Sequence, residues 1–149
     1  MRDMVILPGI YGSRMRLVAV LVLGMTLVAG MAGAKAGSGL RNEADINDGL
    51  FVVAVADKIR RDCDAISPRI FRAYTFMNKL KDAALARGYS EDEIDAYIND
   101  DAEKAKMRKR RNAYFRSKGA SNLDPESLCA LGRAEIAKDS RVGRLLRVW

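Results

Sequence analysis

The sequence between residues 47 and 66 reads NDGLFVVAVADKIRRDCDAI and carries a clear helical pattern. Its apolar side chains recur at steps of three and four residues, which places them along one side of an α-helix. These residues are Val52, Val55, Ala56, Ile59, Cys63 and Ile66. The pattern predicts a first helix over residues 47–65 with one buried face, and Cys63 lies on that face near the end of the helix.

The residues after this stretch predict a second helix with well-defined ends. Ser67 is suited to the N-cap, and Pro68 is suited to the first helical position, where its missing N–H costs nothing. Gly88 is suited to the left-handed position that follows a last helical turn. The side chains predicted to face inward are those of Ile70, Ala73, Tyr74, Met77, Leu80 and Ala84.

A capping box marks the start of a predicted third helix. In this pattern the Ser90 side chain and the Glu93 side chain each accept a hydrogen bond from the other residue's backbone N–H. The helix is predicted to run to residue 118. A bend is expected near residue 100, because Asn and Asp side chains compete with helical backbone hydrogen bonds.

Asp124 followed by Pro125 predicts the start of a fourth helix, and Ser140 predicts the cap of a last short turn. The inward face of the fourth helix is predicted to carry Leu128, Cys129, Gly132 and Ile136. Gly132 allows a neighbouring helix to approach closely. The predicted fold class is therefore all-α, a small bundle of four to five helices.

Cys63 and Cys129 are the two cysteines of the chain, and both fall on predicted buried faces. In an exported protein an even cysteine count favours a disulfide. An inter-helix bond between them closes a loop of about 65 residues and stabilises the fold by roughly 4 kcal/mol in the chain-entropy model. The alternative is a pair of separate buried thiols that act as small apolar side chains.

The N-terminal part of the chain has the pattern of an export signal. Residues 17–34 are uncharged and follow Met15 and a basic residue. The small-x-small pair Ala34 and Ala36 closes this segment. A signal peptidase recognises this order. The prediction is a signal peptide over residues 1–36, a flexible linker over 37–45 and a helical domain over 46–149. In one alternative the true start of the signal peptide is Met15. A retained membrane anchor is the second alternative, since 18 apolar residues can just span a bilayer.

Charge and composition restrict the function. The chain has a formal net charge of +7 and contains no histidine. Without residues 1–36 the net charge is about +4, a mildly basic value that suits anionic lipid or an acidic partner. Because histidine is the commonest general acid–base group and metal ligand, its absence argues against catalysis. No metal, cofactor or catalytic residue is predicted.

The most unusual stretch lies between residues 91 and 118, where seven acids precede eight bases. One interpretation is a solvated helix whose charges match its dipole. The other is an electrostatic docking face for a protein or for anionic lipid, with nucleic acid not expected. The predicted docking residues are Lys104, Lys106, Arg108, Lys109, Arg110, Arg111, Arg141, Arg144, Arg147 and Trp149.

Sequence motifs spread over residues 44–147 resemble those of a family of small exported alphaproteobacterial proteins of unknown function. They are ADIN at 44–47, ISPR at 66–69, GYS at 88–90, EIDAY at 93–97, DPES at 124–127, CALGRAEI at 129–136 and SRVGRLLR at 140–147. Genes of that family often lie among those for NADH–quinone oxidoreductase, respiratory complex I. The resemblance therefore implies a non-catalytic accessory subunit on the periplasmic side of that enzyme.

These observations lead to three functional hypotheses. The first is a periplasmic protein that docks on a membrane-bound complex and is therefore associated with the inner membrane. Its oligomeric state is left open. The second is a small periplasmic stress chaperone, which exposes helical apolar faces when conditions change. The third is a hydrolase that uses two carboxylates facing a cleft.

Overall fold

The computed structural model describes residues 39–149. The predicted signal peptide, with Met15 and the cleavage residues Ala34 and Ala36, lies outside the described residues. Within residues 39–149, no helix has both the length and the hydrophobicity that a membrane span requires.

The described chain forms five α-helices, which confirms the predicted fold class. They are α1 (Ala44–Asp62), α2 (Ile70–Ala86), α3 (Glu91–Asn99), α4 (Asp101–Ser117) and α5 (Pro125–Ala137). Single 3₁₀ turns lie at Leu40–Asn42 and Gly143–Leu145. Two short strands, β1 (Ile66–Pro68) and β2 (Leu146–Val148), pair antiparallel with Ser67 opposite Arg147.

Helix α1 lies at the centre of the fold and packs against α2, α4 and α5. Its predicted stripe is buried, and Val55 and Ile59 have no exposed surface. Phe115 of α4 and Leu128 of α5 complete this core and are likewise fully buried. The core therefore joins three helices around α1.

The predicted disulfide is present and links Cys63, the residue after α1, to Cys129 in the first turns of α5. The two Cα atoms lie 5.2 Å apart, and Cys63 is buried. Within α5, Gly132 has no side chain to hold this helix away. A Cβ atom at Gly132 would stand 2.6 Å from Cγ2 of Ile59 and would also overlap Ile66. The bond and the glycine thus join α5 to α1 at the same place.

The predicted flexible linker over residues 37–45 is wrong from Leu40 onward. Leu40 is buried with Ile46, Ala84 and Tyr89 in a second, smaller core. Helix α1 accordingly begins at Ala44 and not at residue 47. The burial of one leucine orders a segment whose composition indicated a linker.

The predicted start of the second helix is also wrong. Ser67 and Pro68 belong to β1, and α2 begins at Ile70 after Arg69. Arg69 ties this junction to the C-terminal segment, because its backbone N–H donates to the Leu145 carbonyl at 2.8 Å. Pairing with residues some 80 positions away in the chain replaces the local helix cap.

The predicted inward face of α2 is correct for only part of its length. Ala84 is buried, and Leu80 packs against Gly49 of α1. Three other members of that face are exposed, namely Ile70, Tyr74 and Met77. The helix is rotated so that its core side runs through residues 73, 76, 80 and 84.

The remaining helix ends follow the sequence closely. Ser90 and Glu93 form the predicted capping box, and Asp124 caps α5 ahead of Pro125. The expected bend near residue 100 is a full break, because Asp100 ends α3 and accepts a hydrogen bond from the Glu103 N–H at 2.8 Å to start α4. Ser140 Oγ accepts from the Gly143 N–H at 2.9 Å and caps the last turn.

Candidate functional site

A groove of about 480 Å³ lies where α4 faces α1, α3 and the first 3₁₀ turn. We call it the α4 groove. It is lined by Arg41, Asn42, Asn47, Leu50, Tyr97, Ile98, Glu103, Lys104, Lys106, Met107 and Arg110. Three of the predicted docking residues, Lys104, Lys106 and Arg110, therefore line one groove together.

Glu103 is the acid of the α4 groove and is held between two bases. Its side chain is 11% exposed and forms ion pairs with Arg41 and with Lys106, each at 2.9 Å. Beneath it, the Tyr97 hydroxyl donates to Asn47 at 2.6 Å, and burial raises the pKa of Tyr97. The carboxylate is thus neutralised by its neighbours, and the groove keeps a basic rim.

Arg110 is positioned by a ring on one side and a carboxylate on the other. Its guanidinium lies 4.3 Å from the centre of the Phe51 ring and donates to Asp48 at 2.6 Å. The edge of Phe51 in turn meets Tyr114 at 5.5 Å between ring centres. Stacking of this kind orders an arginine without removing its charge.

The other bases of α4 point in different directions. Arg108 and Lys109 are exposed, and neither forms an ion pair within residues 39–149. Arg111 packs inward, 5.9 Å from the centre of the Phe115 ring, and burial together with the nearby Arg61 lowers its pKa. Arg111 is therefore more a packing residue than the docking residue that the sequence predicts.

One of the predicted C-terminal bases, Arg144, lines a second groove of about 640 Å³, which we call the α2 groove. It is lined by Phe71, Arg72, Thr75, Phe76, Lys79, Asp139, Arg144 and Leu145. Arg141 lies 6.0 Å from the centre of the Phe76 ring. The α4 bases and Arg144 therefore line different grooves.

The last residues of the chain lie beside the strand pair. Arg147 donates to Ser67 Oγ at 3.0 Å, and its guanidinium lies 5.5 Å from the centre of the Trp149 ring. Trp149 itself is 81% exposed. Arg147 is thus engaged in the fold, whereas the indole ring of Trp149 stays accessible.

Sequence reasoning missed an ion-pair network that ties the start of α1 to the end of α2. Arg87 donates to Glu43 at 2.7 Å and to both oxygens of Asp45, at 2.8 and 2.6 Å. Tyr89 donates to the other oxygen of Glu43 at 2.8 Å. No local pattern could have indicated these contacts, because the partners lie more than 40 residues apart.

Because of this network, part of the free energy of unfolding depends on pH in the acid range. The Arg87 guanidinium holds the pKa of Asp45 at about 2, below its ordinary value of 3.8. The stabilisation is complete above the ordinary value and is lost as the pH falls through about 2. We expect Asp45→Asn to flatten the decline of the free energy of unfolding between pH 3.8 and 2, measured in urea. The control Asp64→Asn, at an exposed position, should decline like the wild type, and equal declines for all three would contradict the expectation.

A second contact missed by sequence reasoning joins α4 to α5. Glu135 is 4% exposed and accepts a hydrogen bond from the Tyr114 hydroxyl. Burial raises the pKa of Tyr114 to about 12, and the hydrogen bond to Glu135 and the negative charge of that carboxylate contribute to the rise. The pair holds two helices together beside the core and does not face either groove.

The acids of the described chain serve mainly as caps and ion-pair partners. Glu93 and Asp100 cap helices, while Glu43, Asp45, Asp48 and Glu103 are paired with arginine or lysine. Within the described residues, no group of three or more acid, cysteine or histidine side chains could hold a metal ion.

The fold and its surfaces define a class: a small, disulfide-bonded helical protein with two basic grooves. More particularly, the chain belongs to the family of unknown function DUF5333, which matches residues 38–147. The match confirms the family of unknown function that the sequence motifs indicate. No curated protein and no solved structure matches the chain.

Proposed function

We propose that this protein is an exported, non-catalytic accessory protein that docks on a membrane-bound protein complex. The observation that carries the proposal is the exposed basic surface of α4. Arg108 and Lys109 lack ion-pair partners within the described chain, and Arg110 is held in place beside them. Exposed bases without an ion-pair partner suit an acidic protein surface, because complementary charge steers association and fixes orientation.

Export is supported by the disulfide. A bond between Cys63 and Cys129 is consistent with an oxidising compartment, where such bonds form and persist. The periplasm is the compartment that fits the signal-like pattern of residues 17–34.

A non-catalytic role is supported by the state of the acids. The carboxylate-dependent hydrolase hypothesis needs two acids that face a cleft. In the α4 groove the lining acid is Glu103, which already pairs with Arg41 and Lys106. In the α2 groove the lining acid is Asp139. Each groove therefore presents one carboxylate among several bases.

The proposed partner is respiratory complex I on its periplasmic side. This choice follows from the resemblance to small exported alphaproteobacterial proteins whose genes often lie among those of complex I. The chain's membership of DUF5333 supports the family part of that resemblance. The basic surface of α4 supplies the chemistry of contact, and the partner surface is correspondingly acidic.

Purification of complex I in a gentle detergent tests the proposal. We expect the wild-type chain to co-purify with the complex, and Arg108→Glu/Lys109→Glu to lower the bound amount by about tenfold or more, because each reversal turns attraction into repulsion. Arg133→Glu/Lys138→Glu is the matched control on α5 and its C-cap, and it should bind like the wild type. Absence of the wild-type chain from the complex would contradict the proposal.

A stress chaperone is the second candidate, and the disulfide favours it. The bond links the end of α1 to α5, so these two helices stay joined when α2, α3 and α4, which lie between residues 63 and 129, separate from them. We expect a chaperone of this kind to suppress client aggregation at some pH. No suppression at any pH would remove this candidate.

A further inference from the structure

Helix α2 exposes large apolar side chains on its outer side. Phe71 is 88% exposed, Ile70 69%, Tyr74 66% and Met77 51%. Residues three and four positions apart are neighbours on a helix, so these four side chains form one continuous surface. Scattered exposed apolar residues are ordinary, but a contiguous group of this size marks a binding surface.

The rest of the helix explains why this surface stays uncovered. Helix α2 packs on α1 through residues such as Leu80 and Ala84, and Phe76 packs against the core. These residues use one side of the helix. Phe71 and Tyr74 lie on the opposite side, where no described element covers them.

Three bases flank the apolar residues. Arg72, Lys79 and Arg144 line the α2 groove together with Phe71. None of the three forms an ion pair within residues 39–149. The acids nearby are Asp139, in the same groove, and Asp82, on α2 itself. The surface is therefore apolar at its centre and positive at its edge.

We propose that this α2 face binds the surface of an anionic lipid bilayer. Phe71 and Tyr74 enter the boundary between headgroups and acyl chains, and Arg72, Lys79 and Arg144 contact headgroup phosphates. The arrangement is that of an interfacial helix, with aromatic and aliphatic residues on one side and basic residues at its flank. The inference rests on the proposed function only in that both bring the protein to a membrane.

The shape of the face favours a bilayer over a protein partner. Phe71 projects from a helix and is almost fully exposed, so a rigid partner needs a matching pocket to receive it. A fluid bilayer receives such a side chain without a preformed pocket. The basic edge adds attraction to anionic lipid, which weakens as salt rises.

Vesicle binding tests the inference with the exported form of the protein, without the predicted signal peptide over residues 1–36 and with its disulfide intact. The probes are vesicles of phosphatidylglycerol with phosphatidylcholine and vesicles of phosphatidylcholine alone, measured by co-sedimentation. We expect binding to the anionic vesicles only, reduced by added salt. Phe71→Ser/Tyr74→Ser should lower the partition coefficient by roughly tenfold or more, because it removes the apolar anchors. Lys79→Gln/Arg144→Gln should lower it by about tenfold or more through lost charge.

Two controls separate this surface from others. Leu123→Ser changes an apolar residue that is 86% exposed on the loop before α5, and it should bind vesicles like the wild type. Tryptophan fluorescence can report on the α2 face, because the chain contains a single tryptophan that can be replaced. In the Trp149→Phe background, Phe71→Trp places the only indole on the α2 face, and we expect its emission to shift to the blue with anionic vesicles.

Several results would overturn the inference. They are no binding by the wild type, equal loss with Leu123→Ser, or an unshifted emission from residue 71. Self-association that Phe71→Ser/Tyr74→Ser abolishes, without vesicle binding, would assign the face to a second copy of the chain instead. The proposed function is tested separately, by co-purification of the wild-type chain and of variants of α4 with complex I, so its failure is distinguishable from failure of this inference.

Discussion

Reduction of the Cys63–Cys129 disulfide is expected to lower the free energy of unfolding by roughly 4 kcal/mol. The two cysteines are 66 residues apart, and a cross-link over a loop of that length removes a large conformational entropy from the unfolded chain. The described domain is small, so this contribution is comparable to the total stability of a typical domain. Urea unfolding of the oxidised and reduced protein measures the difference.

The double variant Cys63→Ala/Cys129→Ala provides the control for this experiment. It should unfold at nearly the urea concentration of the reduced wild type, and the reductant should not change it further. Equal midpoints for the oxidised and reduced wild type would contradict the expectation, as would two free thiols in the native protein.

Gly143→Ala is expected to lower the free energy of unfolding by about 3 kcal/mol. A Cβ atom at Gly143 would overlap the carbonyl group of Glu135 and lie 2.7 Å from the amide nitrogen of Ile136. These are backbone atoms of α5, so no rotation of a side chain relieves the overlap. The same Glu135 carbonyl accepts from the Ser140 N–H at 3.2 Å, which fixes its position.

Gly119→Ala is the matched control for this substitution. Nothing lies within 4 Å of a Cβ atom at Gly119, and only its backbone φ of +74° resists a side chain. We expect a loss of about 1–2 kcal/mol there. Urea unfolding of both variants compares steric overlap with backbone strain alone. If Gly143→Ala were no less stable than Gly119→Ala, the close packing of the C-terminal turn on α5 would be wrong.

Features that depend on neighbouring residues could be predicted from the sequence. The capping box of Ser90 and Glu93 involves residues three apart, and the stripe of α1 involves steps of three and four. The disulfide was also predictable, because the chain has two cysteines and both fall on faces that the sequence predicts to be buried. In each case the residues in contact are close in sequence, or, for the two cysteines, one intramolecular pairing exists.

Features that depend on distant partners could not be predicted. Strand β1 forms because Ser67 meets Arg147, and α2 therefore begins two residues later than its apparent cap indicates. The burial of Leu40 likewise depends on Tyr89, far along the chain. Local propensity favours a cap or a linker at these positions, and tertiary packing overrides it.

The candidate surfaces show the same division. The sequence shows that bases are clustered in α4, but it does not show which of them are exposed. Arg108 is exposed, whereas Arg111 packs on Phe115. Nor does it indicate the α2 face, because Ile70, Tyr74 and Met77 have the spacing of core residues. Only the rotation of α2 against α1 shows that these side chains are exposed.

Site-specific photo-crosslinking in intact cells tests the central claim, docking through α4, most directly. A photoreactive amino acid replaces Lys109 on the exposed surface of α4, and in a matched control it replaces Lys138 at the end of α5. We expect position 109 to crosslink to a subunit of a membrane-bound complex and position 138 to give no such product. Equal products from both positions, or none from position 109, would contradict docking through α4.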